Sequence, residues 1–191
     1  MNIVAITGPR GHGKSTAAAA LEARGYVHIN FADPLREIAK IAYGVTMEEM
    51  LDPVLKETKL ERWPFKSPRE ILQHIGTDMF RHYVDDTWVQ AWGNKARAYL
   101  DGKVTNGFGG VREVAGVVCS DCRFLNEAEM VRRLKGVIIR VQDPRKRATD
   151  AASQHASETE MAKIVPDWTI TNDREIADLH AAIEMIVFDK D

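Results

Sequence analysis

Apolar and polar residues in the first part of the chain form blocks that predict alternating strands and helices. Residues 3–6 are a short apolar run that favours a strand. Residues 13–24 follow with a run of four alanines, which are strong helix formers, and Gly25 ends this segment. Residues 26–31 predict a second strand, and residues 34–43 predict a helix with proline in its first turn.

The middle of the chain lacks this alternation. Residues 44–100 are helical in pattern and mixed in charge, and prolines at 53, 64 and 68 interrupt them. Two helices are clear within this stretch, at 68–82 and 88–100. We therefore predict an all-helical insertion into an α/β frame formed by residues 1–43 and 114–191.

Strand and helix patterns resume after residues 101–116, which hold five glycines and predict a long loop. The later elements are strands at 114–120, 137–141 and 168–171 and helices at 126–135 and 173–188. Five strands separated by helices predict a single α/β domain of three layers, a parallel sheet with helices on both faces. Ligands of such sheets bind at the carboxyl ends of the strands.

The first strand and helix enclose a phosphate-binding motif. Gly8–Ser15 satisfies G-x-x-x-x-G-K-[ST] in full. Its glycines let main-chain N–H groups surround a phosphate, and the helix that follows adds its positive N-terminal end. We expect Lys14 to reach the β- and γ-phosphates of ATP and Ser15 to bind Mg²⁺. The predicted ATP-binding residues here are Gly8, Gly11, His12, Gly13, Lys14, Ser15 and Thr16.

Two side chains inside this loop leave alternatives open. Arg10 and His12 could each face the phosphates or the solvent. Of these alternatives, we favour solvent exposure for both side chains.

An acid follows the second strand, in the segment Phe31–Arg36. Asp33 could cap the helix that Pro34 begins, or it could lie beside the transferred phosphate, and the two roles are compatible. We assign Asp33 a catalytic role and count both Asp33 and Arg36 among the acceptor-binding residues.

Another acid follows the strand at 114–120. An apolar strand that ends in an acid resembles a Walker B element, so Asp121 is the second predicted magnesium ligand. Arg123 then lies close to the phosphates, and we assign it a catalytic role.

Residues 143–165 are polar and charged. They could form a solvated helix face, but their position after the fourth strand favours a lid that excludes water from the triphosphate. Arg145 and Arg147 are the predicted lid arginines. In the helical insertion, Arg69, Gln73 and Arg81 are the candidates for binding an acceptor phosphate, because a guanidinium can bind a phosphate through two hydrogen bonds.

Composition and charge narrow the function class. The 191 residues carry a formal net charge of -2, which argues against a non-specific nucleic-acid binder. No apolar run approaches the roughly 18 residues of a membrane span, and the N-terminus lacks the basic region of a signal peptide, so we expect a cytosolic protein. Cys119 and Cys122 have C-x-x-C spacing, but no second pair completes a zinc site, and we interpret both as structural.

With these features in place, the chain resembles the bacteriophage deoxynucleoside monophosphate kinases, relatives of dephospho-coenzyme A kinase. The matching segments are ITG at 6–8, KST at 14–16, FADPL at 31–35, LQHIGTDMFR at 72–81, SDCRFLNE at 120–127, HASE at 155–158 and ITND at 170–173. The resemblance implies a P-loop kinase that uses Mg²⁺ and transfers the γ-phosphoryl group of ATP to a deoxynucleoside 5′-monophosphate. It implies that Asp33 lies near the acceptor and that Asn172 lies in the adenine-contacting loop.

The resemblance also implies the cytoplasm of an infected bacterium as the location. A homodimer is compatible with the family, although the sequence shows no self-complementary patch. Two other functions remain open from the residues: a kinase of another small acceptor such as dephospho-coenzyme A, and a nucleotide-dependent switch ATPase.

Overall fold

The computed structural model describes residues 1–104, 113–146 and 156–189, with the main chain alone for 156–158. The chain divides into two compact units. We call Met1–Asn30 with Trp92–Asp191 the sheet unit, and Phe31–Ala91 the helical unit.

The regular elements follow the predicted order. The strands are β1 (Ile3–Thr7), β2 (Tyr26–His28), β3 (Gly116–Cys119), β4 (Val137–Gln142) and β5 (Trp168–Thr171). The helices are α1 (Lys14–Ala23), α2 (Asp33–Tyr43), α3 (Met47–Leu51), α4 (Pro68–Gln73), α5 (Thr87–Leu100), α6 (Leu125–Arg133), α7 (Ala156–Lys163) and α8 (Ile176–Phe188). A 3₁₀ turn at Leu55–Glu57 and a π-helix at His74–Arg81 lie in the helical unit.

The sheet has the order β2-β3-β1-β4-β5, and every neighbouring pair is parallel. This confirms the predicted five-stranded parallel sheet. β1 is central and buried along its whole length, as expected for a parallel sheet covered on both faces. Val4 and Ile6 belong to one core cluster with residues of α1 and α8. Ile3, on the other side of β1, lies near Val131 of α6, with Gly136 between them.

β2 is shorter than predicted: it ends at His28 instead of residue 31. Ile29 N still donates to Val118 O at 2.9 Å. At the next position the Asn30 side chain replaces the main chain, because its Oδ1 accepts from Ser120 N at 2.9 Å. The strand therefore stops where a side chain takes over the ladder hydrogen bond.

The helical unit contains no strand among residues 31–91, and neither do residues 92–100, so the helical character predicted for 44–100, all of which the structure describes, is confirmed. Its core consists of buried apolar side chains from α2, α4, the π-helix, α5 and the segment around α3: Ala39, Val45, Met50, Leu60, Ile71, Ile75 and Trp88. The sequence predicts the helical elements because their apolar residues recur at helical spacing.

The predicted continuous helix at 68–82 is wrong in its geometry. α4 ends at Gln73, and a π-helix continues to Arg81. His82 N donates to Thr77 O, five residues earlier, at 3.0 Å. The Trp88 indole N–H donates to Gly76 O at 2.9 Å, so a side chain satisfies a carbonyl of the wider turn.

Part of the predicted loop at 101–116 and part of the predicted lid lie outside the described residues. Arg147 and the HASE motif side chains are among them. Across the part of the chain that is described, none of the helices combines the length and apolar character that a bilayer crossing requires.

Candidate active site

The phosphate-binding loop connects β1 to α1 and depends on glycines with unusual backbone angles. Gly8 has φ 134°, and a Cβ there would collide with Val141 O of β4. Gly13 has φ 98°, and a Cβ there would lie 2.5 Å from the Asn172 amide nitrogen. Both positions combine a backbone conformation that side chains disfavour with a close neighbour, which explains why the motif needs glycine at each.

Lys14 begins α1 and is only 9% exposed. Its Nζ donates to Pro9 O at 2.7 Å, so the ammonium lies against the main chain of its own loop. Ser15 is exposed in the first turn of α1, and Thr16 after it is half-buried. Arg10 is exposed, as we favoured.

The favoured exposure of His12 is wrong. The side chain is 7% exposed, and its Nδ1 accepts a hydrogen bond from Asp143 N at 2.8 Å. The main chain of His12 is held as well, because Asn172 Nδ2 donates to His12 O at 3.1 Å. Sequence reasoning missed this contact because it joins residues 131 positions apart.

Asp143 follows β4 and is 4% exposed. Its carboxylate accepts from Arg145 Nε at 2.9 Å and from Arg145 N at 3.0 Å. These bonds lower the pKa of the Asp143 carboxyl to about 2. The guanidinium of Arg145 also donates to Asn172 O at 3.2 Å. We call His12, Asp143, Arg145 and Asn172 the His12 network.

Arg145 therefore has protein partners in this structure, in addition to its predicted role in a lid. Lys146, which sequence reasoning did not single out, donates from Nζ to Gly11 O in the phosphate-binding loop. Two residues near the start of the predicted lid are therefore already bound within the protein. Arg145 contacts Asp143 and Asn172, and Lys146 contacts the phosphate-binding loop.

A second set of polar contacts lies at the carboxyl ends of β2 and β3. His28 Nε2 is 2.9 Å from Ser120 Oγ, and His28 Nδ1 is 2.9 Å from Glu22 Oε1 of α1. Asn30 accepts from Ser120 N, as described above. We call these four residues the Ser120 network. A carboxylate, an imidazole and a hydroxyl in this order occur in hydrolase triads, but Ser120 is only 7% exposed, and we assign it a structural role.

Asp121 and Arg123 follow β3 and are half-buried. Their turn is fixed by Glu127, a residue for which the sequence predicts no role. Glu127 is 3% exposed, and its carboxylate accepts from Arg123 N at 2.8 Å and from Phe124 N at 3.1 Å. The buried acid thereby satisfies N–H groups at the start of α6 and fixes the main chain beside Asp121.

Cys119 and Cys122 flank Asp121, and both are buried. Burial raises the pKa of each thiol well above its ordinary value, and the carboxylates of Asp121 and Glu127 add to the effect at both. Thiolates are the metal-binding and nucleophilic form, so this environment agrees with the structural interpretation. No cluster of three or more metal-binding side chains occurs within residues 1–104, 113–146 and 156–189.

The donor set at the loop suits magnesium. In phosphate sites Mg²⁺ keeps waters and takes one or two protein oxygens together with phosphate oxygens. Ser15 supplies an exposed hydroxyl, and Asp121 supplies a carboxylate after β3, which neighbours β1 in the sheet. These two residues fit a Mg²⁺ ion that is bound mainly through the nucleotide, and their role as ligands stays a prediction.

In the helical unit, Asp33 is the first residue of α2, so Ala32 and not Asp33 occupies the cap position. The Asp33 carboxylate accepts from Arg36 Nη1 at 2.7 Å. The Arg36 side chain is 15% exposed. This pair joins the predicted acid to the predicted acceptor-binding cation.

The other predicted acceptor-binding residues lie in α4 and the π-helix. Arg69 donates to Glu57 at 2.6 Å, and Arg81 lies 3.8 Å from Asp85. Gln73 is exposed at the end of α4. Their role in acceptor binding stays a prediction.

Comparison with known proteins gives one curated relative of nearly full length. A mimivirus protein of Acanthamoeba polyphaga mimivirus, named "Putative deoxynucleotide monophosphate kinase", is 32% identical over 96% of this chain and 94% of its own. No protein-family model matches the chain.

Solved structures give the same fold at lower identity. Dephospho-CoA kinase from Campylobacter jejuni is 18% identical with a TM-score of 0.53, over 97% of this chain and 95% of its own. The Thermus thermophilus protein TT1252 is 20% identical with a TM-score of 0.50, over 97% of this chain and 96% of its own. The likeness to solved structures shows a P-loop kinase fold. Together with the mimivirus relative, it places this chain in the deoxynucleotide monophosphate kinase family.

Proposed function

We propose that this protein transfers the γ-phosphoryl group of ATP to a deoxynucleoside 5′-monophosphate, giving ADP and a deoxynucleoside diphosphate. The observation that carries the proposal is the 32% identity to the mimivirus relative over 96% of this chain. The phosphate-binding loop supports the donor half of the reaction, because Gly8 and Gly13 have backbone angles that favour glycine and Lys14 follows them at the start of α1, in the order of the motif. The product would supply nucleotides for DNA synthesis.

The chemical problem is to bring two anions together. An oxygen of the acceptor monophosphate attacks the γ-phosphorus of ATP, and the bond from that phosphorus to the bridging oxygen breaks, which releases ADP. The attacking oxygen is already anionic, so the step needs little base catalysis. The enzyme contributes positioning and stabilisation of the charge that spreads over the transferred group.

Residues of the sheet unit would act on the donor. Main-chain N–H groups of the loop and the N-terminus of α1 face a phosphate in such sites, and Lys14 adds a positive charge. Arg123, whose main chain Glu127 fixes, would neutralise charge on the transferred group. Ser15 and Asp121 would hold a Mg²⁺ ion, which would supply further neutralisation of the phosphate charge.

Residues of the helical unit would act on the acceptor. Arg36, Arg69 and Arg81 offer guanidinium groups, which suit a phosphate because their planar fork donates two parallel hydrogen bonds. Arg36 and Arg69 already bind carboxylates, at 2.7 and 2.6 Å, so the acceptor phosphate would compete with Asp33 and Glu57 or join them.

The test is an ADP-release assay over a panel of acceptors: the four deoxynucleoside monophosphates, their ribonucleoside counterparts and dephospho-coenzyme A. We expect ADP release that depends on at least one deoxynucleoside monophosphate, and kcat/KM for it above that for the other acceptors. Turnover with dephospho-coenzyme A alone would assign another acceptor. Slow hydrolysis that no acceptor stimulates would indicate a switch ATPase.

A further inference from the structure

A buried histidine in the middle of the phosphate-binding loop has no role in the chemistry derived above. His12 is 7% exposed, and Asp143, which it contacts, is 4% exposed. The bond between them runs from Asp143 N to His12 Nδ1 and measures 2.8 Å. The imidazole therefore contacts the turn after β4, and this contact fixes one ring nitrogen in the interior of the sheet unit.

This hydrogen bond defines the state of the ring. A main-chain nitrogen always donates, so His12 Nδ1 must accept, and the ring proton then lies on Nε2. A charged imidazolium would present an N–H group to the N–H group of Asp143. The contact therefore requires a hydrogen-bond acceptor on the side chain of residue 12. A side chain without an acceptor would leave the buried main-chain N–H group of Asp143 unsatisfied.

Two further contacts hold the same part of the loop. Asn172 Nδ2 donates to His12 O at 3.1 Å, and Lys146 Nζ donates to Gly11 O. Asn172 is itself fixed, because its main-chain nitrogen donates to Gln142 O at 2.8 Å. Gly11 and His12 are thus attached to the segments that follow β4 and β5. The bonds involve the His12 imidazole and the main-chain carbonyl groups of both residues.

We propose that His12 is a positioning residue, whose neutral imidazole fixes the phosphate-binding loop to Asp143 so that the loop presents its N–H groups to the nucleotide. This role of His12 rests on the proposed function only in tests that measure turnover. Nucleotide binding can be measured without an acceptor substrate and tests the role independently. An anion site built from main-chain N–H groups needs a defined loop conformation, and a loosened loop must be reordered when the phosphates bind.

The test compares two substitutions of similar size. In His12→Asn, the amide Oδ1 is as many bonds from the main chain as Nδ1 is, so it can accept from Asp143 N. In His12→Leu, no acceptor remains. We expect the dissociation constant of ADP with Mg²⁺, measured by calorimetry, to rise about tenfold in His12→Leu and to stay within about threefold of the wild type in His12→Asn.

Thermal unfolding of the same proteins separates positioning from folding. A purely structural role predicts lower melting temperatures with unchanged ADP affinity, and that result would overturn the proposal. Equal losses of affinity in His12→Asn and His12→Leu would overturn it as well. If His12→Leu does not fold, His12→Ala, which leaves room for water at the Asp143 N–H group, replaces it in the same comparison.

Discussion

Helix α5 carries two buried tryptophans, and each belongs to a different unit. Trp92 donates from its indole nitrogen to Ile29 O in the sheet unit, just after β2, and Trp88 donates to Gly76 O within the π-helix of the helical unit. Both bonds measure 2.9 Å. The same chemistry thus supports a strand end beside the Ser120 network in one unit and a non-standard helix in the other.

The polar contacts of the two units differ in the sequence separation of the residues that they join. In the sheet unit, the bonds of His12 to Asp143 and Asn172 join residues 131 and 160 positions apart. In the helical unit, Arg36 binds Asp33 three positions away, and Arg69 binds Glu57 twelve positions away. The phosphate-binding loop is therefore held by long-range contacts, whereas the predicted acceptor-binding residues form local ion pairs.

The largest expected effect is on the donor site. Replacing Lys14 by alanine removes the cation that we propose binds the β- and γ-phosphates, and we expect kcat/KM to fall roughly 10³-fold or more. The melting temperature should stay near that of the wild type. Lys40→Ala is the matched control, since Lys40 is an exposed lysine of α2 whose charge lies 3.9 Å from Glu37. A folded Lys14→Ala enzyme with near-normal turnover would refute the assignment of the loop.

The paired tryptophans give the next largest effect. Trp92→Phe and Trp88→Phe each leave a buried carbonyl without its indole donor, at a cost of roughly 1–3 kcal/mol in the free energy of unfolding. We expect the two variants to differ in kinetics. Trp88→Phe should raise KM for the acceptor several-fold, because it perturbs the π-helix that carries Arg81, and it should leave KM for ATP unchanged.

Urea unfolding and steady-state kinetics of both tryptophan variants measure this difference. Trp92→Phe is the matched control, because it removes the same donor from the same helix. An equal rise of the acceptor KM in both variants would contradict the assignment of the π-helix to acceptor binding.

An effect that is smaller in free energy, about 1.4 kcal/mol for a tenfold change, separates the cations of the helical unit. Arg36→Gln should raise KM for the acceptor about tenfold, as expected for the loss of one charge-assisted contact, with little change in KM for ATP. Arg62→Gln is the control, because Arg62 binds Glu49 through two nitrogens, at 2.7 and 2.9 Å, and has no proposed substrate role. Initial rates at varied acceptor concentration decide the point, and equal KM values in the two variants would remove Arg36 from the acceptor site.

The smallest expected effect is a pH dependence of stability. Hydrogen bonds from Arg62 lower the pKa of Glu49 from 4.5 to about 2. A lowered folded-state pKa means that the contribution is fully present above pH 4.5 and is lost as the pH falls toward 2. Urea unfolding between these values should show a weaker pH dependence in Glu49→Gln than in the wild type. Parallel curves for the two proteins would show that Glu49 contributes nothing to acid unfolding.

The sequence predicts the fold and the donor motif because both depend on local patterns. The strand runs, the alanine-rich helix and the G-x-x-x-x-G-K-S spacing are each contained in fewer than fifteen residues. β2 and the π-helix differ from prediction because side chains of Asn30 and Trp88 take over main-chain hydrogen bonds. These side-chain hydrogen bonds depend on tertiary contacts, which the periodicity of apolar residues along the sequence does not reveal.

The burial of His12 and the role of Asp143 were missed for the same reason, since their bond joins residues 131 positions apart. One signal was available for Asp143. It follows an apolar strand directly, as Asp121 nearly does, and acids in that position lie at the carboxyl edge where the ligands bind. The acceptor site offers no comparable signal, because local ion pairs on helices are common on protein surfaces.

The most direct test of the account follows the phosphoryl group itself. The wild type and Lys14→Ala are incubated with ATP labelled at the γ-phosphate and a deoxynucleoside monophosphate, and the nucleotides are separated by chromatography. We expect label in the deoxynucleoside diphosphate with the wild type and none above background with Lys14→Ala. Label that appears only as inorganic phosphate with the wild type, whichever deoxynucleotide is supplied, would contradict it.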